Sequence, residues 1–103
     1  MINYSVTIAI NKVIESEWLK WMKEFHIPDV MKTGYFFDWQ MQKQLLPEDL
    51  TDETTYVISY FSHSIENYQK YTEMEAPRLR DDHNKKYSGQ FKATRAVYSL
   101  MSR

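Results

Sequence analysis

From Ile2 to Ile10 the chain alternates strictly. Ile2, Tyr4, Val6, Ile8 and Ile10 fall on one side, and Asn3, Ser5, Thr7 and Ala9 on the other. A period of two over this length predicts a half-buried strand. The period then changes. Ile14, Trp18, Trp21, Met22 and Phe25 form one stripe of an amphipathic helix, with Glu15, Glu17, Lys20, Lys23 and Glu24 mostly around its other sides. Pro28 is expected to end this helix at or before Ile27, because the residue before a proline disfavours helix. A short turn, Pro28 to Lys32, would follow and close at Gly34.

Alternation returns from Tyr35 to Leu45, with Tyr35, Phe37, Trp39 and Met41 opposite Phe36, Asp38, Gln40 and Gln42. This predicts a second strand. Pro47 to Glu53 is acidic and nearly devoid of apolar residues, as expected of a hairpin loop. Thr54 to Ser62 is β-branched and aromatic and predicts a third strand. Ser64 suits the N-cap of a second helix with Ile65, Tyr68, Tyr71 and Thr72 on its inner stripe. Pro77 interrupts that helix. It then resumes with Leu79, His83, and Lys86 or Tyr87 inward, and with Arg78, Arg80, Asp81, Asp82 and Lys85 mostly solvated. Gly89 stops it, and Phe91 to Leu100 predicts the last strand.

The order β-α-β-β-α-β is the split βαβ arrangement. It predicts an α+β, ferredoxin-like fold with a four-stranded antiparallel sheet and helices on one face. The crossover rule puts the first and third strands in the middle. A chain of 103 residues suits one such domain, 1–103. The sheet face away from the helices is mixed: Asn3, Ser5, Thr7, Asp38, Gln40 and Gln42 share it with apolar positions of the third strand. A second copy covering that face would make a homodimeric α+β barrel, whose part-polar interior could hold a small molecule.

Composition narrows the chemistry. With no cysteine there is no thiolate nucleophile and no Cys-based metal site. The formal charge of −1 argues against general affinity for nucleic acid or an anionic membrane. No apolar run approaches the ~20 residues of a membrane span, and the N-terminal alternation is unlike a signal peptide. A cytoplasmic protein is the expectation. Only two glycines, Gly34 and Gly89, leave no phosphate loop. No Gly-x-Ser-x-Gly or His-Glu-x-x-His occurs, so neither a nucleophile elbow nor a metal is expected, and no cofactor is called for.

Several segments together resemble a known family. They are Trp18-x-x-Trp21-Met22 leading into His26-Ile27-Pro28-Asp29-Val30, then Thr33-Gly34, Thr55-Tyr56, Ala76-Pro77-Arg78-Leu79-Arg80 with His83, and Phe91-x-Ala93-x-Arg95. The chain is similar over nearly its whole length to the short bacterial proteins of the domain-of-unknown-function family numbered 4286. The resemblance implies a ferredoxin-like fold related to the dimeric α+β barrels. It implies no activity.

Candidate site residues are His26, Asp38, Tyr56 and Arg95. His26 is either a cap on a helix C-terminus, where an imidazolium meets the dipole, or a general base or ligand-binding group. Arg95 lies either on the face of Phe91, Ala93 and Val97 or on the opposite face. Charge burial favours the opposite face, with Asp38 as partner. Trp18 and Trp21 are expected to be core. The leading function is a dimeric small-molecule-binding or interaction module. The alternative, by fold analogy, is a cofactor-free enzyme acting on an aromatic or quinone-like substrate, with His26 as base and Arg95 and Tyr56 polarising an oxygen.

Overall fold

A computed structural model describes residues 1–102. Strand β1 (Ile2–Asn11) runs through a turn of 3-10 helix into α1 (Glu15–Trp21), a π segment (Met22–His26) and α2 (Ile27–Lys32). The hairpin β2 (Asp38–Lys43) and β3 (Glu53–Ser62) follows, then α3 (Ile65–Met74), α4 (Ala76–Tyr87) and β4 (Phe91–Ser99). The strands lie in the order β2-β3-β1-β4, and every pairing is antiparallel. This is the α+β, ferredoxin-like arrangement.

The alternation of β1 sets the core. Tyr4, Val6, Ile8 and Ile10 are buried under the helices beside Tyr56, Ile58 and Tyr60 of β3. Trp18, Met22, Ile27 and Val30 come down from the first helical arm, and Tyr71, Ala76, Leu79 and Tyr87 from the second. Ser64 caps α3, its hydroxyl accepting from the Asn67 N–H at 3.2 Å. Pro77 sits at the start of α4, where its missing N–H costs least.

Three local expectations are corrected. Pro28 does not end the first helix. The Ile27 N–H reaches back five residues to the Met22 carbonyl, and this π turn lets the chain continue through Pro28 into α2. The extra residue also shifts the buried stripe. It runs Trp18, Met22, Ile27, Val30, and Phe25 is left 57% exposed. The second strand is shorter than its alternation suggests, beginning only at Asp38. Before it, Phe36 leaves the strand phase and buries against Tyr4, Tyr60 and Tyr71. Phe37 stays outside, stacked on His63. In α4 the inward position is Tyr87, with Lys86 exposed.

Candidate active site between helices and sheet

A cavity lies between the helices and the sheet, lined by β1, β3, β4, the π segment and the second helical arm. It is small, about 30 Å³, room for a water molecule or two. Its walls are apolar in part, from Val6, Ile8, Met22, Ile58 and Leu79. Its polar groups come from six elements: Tyr4 from central β1, Tyr60 from β3, Arg95 from edge strand β4, His26 from the π segment, Tyr71 from α3, and Arg80 and His83 from α4.

The register explains Arg95. It pairs with Val6 on β1, and Val6 faces the helices, so Arg95 does too. This corrects the expected opposite face. Arg95 shares the side of Phe91, Ala93 and Val97, and it escapes full desolvation because β4 is an edge strand and the residue is exposed. Asp38 pairs with Phe61 on the other face, too far round the sheet to serve it. The Asp38 carboxylate instead accepts from the Trp39 N–H at 2.8 Å.

His26 projects from the π segment onto Trp21, the two rings stacked with centroids 5.2 Å apart, and stands edge-on to His83 at 5.7 Å. A helix end is not what it meets, since the helix continues, so the capping alternative fails. Burial lowers its pKa to about 4, against the pull of Asp29 and Asp82, and Arg95 adds to the lowering. His83 is likewise lowered to about 4, by burial first and then by His26 and Arg95. Both imidazoles are neutral at pH 7. The Trp18 indole N–H donates to His83 Nε2 at 2.9 Å, so the remaining His83 proton is on Nδ1.

Tyr56 is elsewhere. It packs on Trp18, its hydroxyl donates to the Glu15 carboxylate, and Thr54 donates to the same carboxylate at 3.0 Å. Burial and that hydrogen bond push its pKa up. This cluster ties the start of α1 to β3 and does not border the cavity. The structure thus brings His26 and Arg95 together and leaves Asp38 and Tyr56 apart from them.

Two cavity residues escaped the sequence reading. The sequence pattern puts Arg80 in solvent and His83 only on the inward side of the second helix. Ala76, Leu79, Arg80, His83 and Tyr87 are spaced three, four, seven and eleven residues along α4, which is one helical stripe. That spacing was the available signal for Arg80. Among the described residues no three His, Asp or Glu side chains gather as a metal site needs.

The family's sequence pattern, described as a domain of unknown function (DUF4286), matches residues 1–101. The chain belongs to that family. No curated protein matches this chain. Among solved structures it is similar to a dimeric ferredoxin-like protein from an uncultured marine organism, at 14% identity and a TM-score of 0.69, over 100% of this chain and 97% of that one. An ethyl tert-butyl ether D (EthD) family protein from Bacillus halodurans is 13% identical with a TM-score of 0.67, over 98% and 100%. SnoaB, a cofactor-independent oxygenase from Streptomyces nogalater, is 8% identical with a TM-score of 0.57, over 99% and 94%. Likenesses at these identities show the fold of this DUF4286 chain. Among the described residues no helix is long and apolar enough to cross a membrane.

Proposed function

We propose that this DUF4286 protein is a homodimeric small-molecule-binding module whose ligand enters the cavity between helices and sheet. The observation that carries the reading is the meeting of His26, Arg80, His83 and Arg95 around one partly apolar space. Convergent polar groups in an apolar pocket are what small-molecule sites are made of. The ligand position differs from the expected one between two sheets.

The dimer reading rests on the uncovered sheet face. Ser5 and Ser59 form a 3.2 Å hydrogen bond at its centre, flanked by half-buried Asn3, Thr7, Val57, Phe61 and Ala96. Few full charges occupy this face, and a symmetric partner would cover it. A general-base role for His26 has less support. A group titrating at about 4 is a weak base at neutral pH, whereas efficient general bases titrate near it.

A fragment screen by thermal shift, followed by titration of Trp fluorescence, tests the reading, because Trp18 and Trp21 contact the two cavity histidines. Hits should lose at least tenfold in affinity on His26→Gln or Arg95→Gln while the fold is kept. Hits that bind both variants unchanged would remove the cavity as the site.

A further inference from the structure

Two cations border the cavity, and neither has a carboxylate. Arg80 and Arg95 take part in none of the ion pairs among the described residues. Arg78, on the outside of the same helix, does pair, with Glu75 at 3.1 Å. The Arg80 guanidinium is held in place by one weak contact, Nη2 donating to the Tyr4 hydroxyl at 3.3 Å. Its Nε–H is buried with no partner at all. A buried donor left unmatched is costly, and an edge of a guanidinium presents two parallel N–H groups suited to two oxygens of one plane.

The surroundings narrow what those donors await. His26 and His83 carry no charge at pH 7, so the lining itself holds two cations, Arg80 and Arg95, while Asp29 and Asp82 act on His26 from outside it. An anion is the charge complementary to that lining. The lining next to the arginines is aromatic and aliphatic, from Tyr4, Tyr71 and Leu79. The free space is about 30 Å³, which suits a flat, compact head group with the rest of the molecule toward the open edge at Arg95.

We propose that the cavity binds a small carboxylic acid, its carboxylate seated on Arg80 and Arg95 and its hydrocarbon part directed to the open edge. This rests on the reading of the cavity as a small-molecule site and names the ligand's class.

The probes are propionate and benzoate, their neutral amides propionamide and benzamide, and inorganic phosphate. Each is titrated into the full chain at pH 7 by calorimetry and by Trp fluorescence. At least one carboxylate should bind saturably with one site per protomer, and its amide at least tenfold more weakly. Arg95→Gln and Arg80→Gln should each weaken that carboxylate at least tenfold. Arg80→Lys, which keeps the charge and loses the paired donors, should fall between wild type and Arg80→Gln, with circular dichroism confirming that each variant folds. Amides binding as well as acids would overturn the carboxylate assignment and leave the cavity reading standing. Phosphate binding more tightly than either acid would overturn it in favour of a tetrahedral anion. Carboxylate binding unchanged by the arginine variants would place the site elsewhere. No binding of any probe would overturn the carboxylate assignment and the cavity reading together.

Discussion

Lowering the pH from 7 to 5 acts on stability through the two cavity histidines, His83 buried and His26 half-buried, because ordinary carboxylates still hold their charge at pH 5. Each histidine titrates near 6.5 when unfolded and at about 4 in the folded chain. Between those values the unfolded state binds more protons, so stability falls as the pH falls through 6.5 toward 4. Carrying that shift to pH 5 gives a loss of about 2 kcal/mol for each histidine. The sum is a large share of the ~5–15 kcal/mol available to a domain of this size. The first proton also opposes the second, because the rings lie 5.7 Å apart. Urea unfolding at pH 7.0, 6.0 and 5.0, at one protomer concentration, measures this directly. The wild type should lose several kcal/mol, and His26→Gln and His83→Gln should each flatten the slope by about half. A wild-type midpoint that stays level from pH 7 to 5, or a slope that survives both substitutions, would refute the argument from burial.

Other outcomes follow from the packing. Trp18→Phe should cost about 1–3 kcal/mol in a denaturant melt, because it strands the buried His83 Nε2 without its donor. Trp18→Ala should cost about 3–5 kcal/mol and Trp21→Ala distinctly less, since Trp18 is fully buried and Trp21 only partly; equal losses would contradict this. Tyr56→Phe should lower stability by about 1.5–3 kcal/mol, the worth of a hydrogen bond to a charged group, and leave fragment binding untouched. Light scattering should give twice the 12.5 kDa chain mass for wild type and the single-chain mass for Thr7→Lys, which puts a charge in the middle of the open sheet face. A Thr7→Lys protein that keeps the double mass would move the interface off that face.

The architecture was legible because two periods rarely mislead when they run long. Nine alternating residues identify β1 as a half-buried strand, and the order β-α-β-β-α-β with the crossover rule puts it beside β3 in the middle. The candidate site was legible in part. His26 stood out by type, yet its setting was hidden, since a proline signals a helix end and the π turn that absorbs it leaves no mark in composition. Alternation alone leaves the face of Arg95 open, and the cost of burying a charge points to the wrong one. An edge strand lets the guanidinium reach water, so register overrode the charge argument. Arg80 was missed for a related reason. Within Arg78-Leu79-Arg80-Asp81-Asp82, charge density suggests solvent, whereas helical spacing from Ala76 to His83 turns one arginine inward.

The π turn has a consequence for how this chain can change length. Its one surplus residue and Pro28 are complementary. Delete a residue between Met22 and His26, and the backbone closes into ordinary α-helix, which sets the Pro28 ring against the carbonyl four residues earlier. Replace Pro28 alone, and nothing any longer favours the wider turn. A lineage that loses the insertion should therefore lose the proline with it. When both go, Met22 and Ile27 fall four residues apart and keep the same face, so the core stripe survives while the residues inside the widened turn, His26 among them, are re-aimed. Insertion and proline form one heritable unit, and the aim of His26 goes with it.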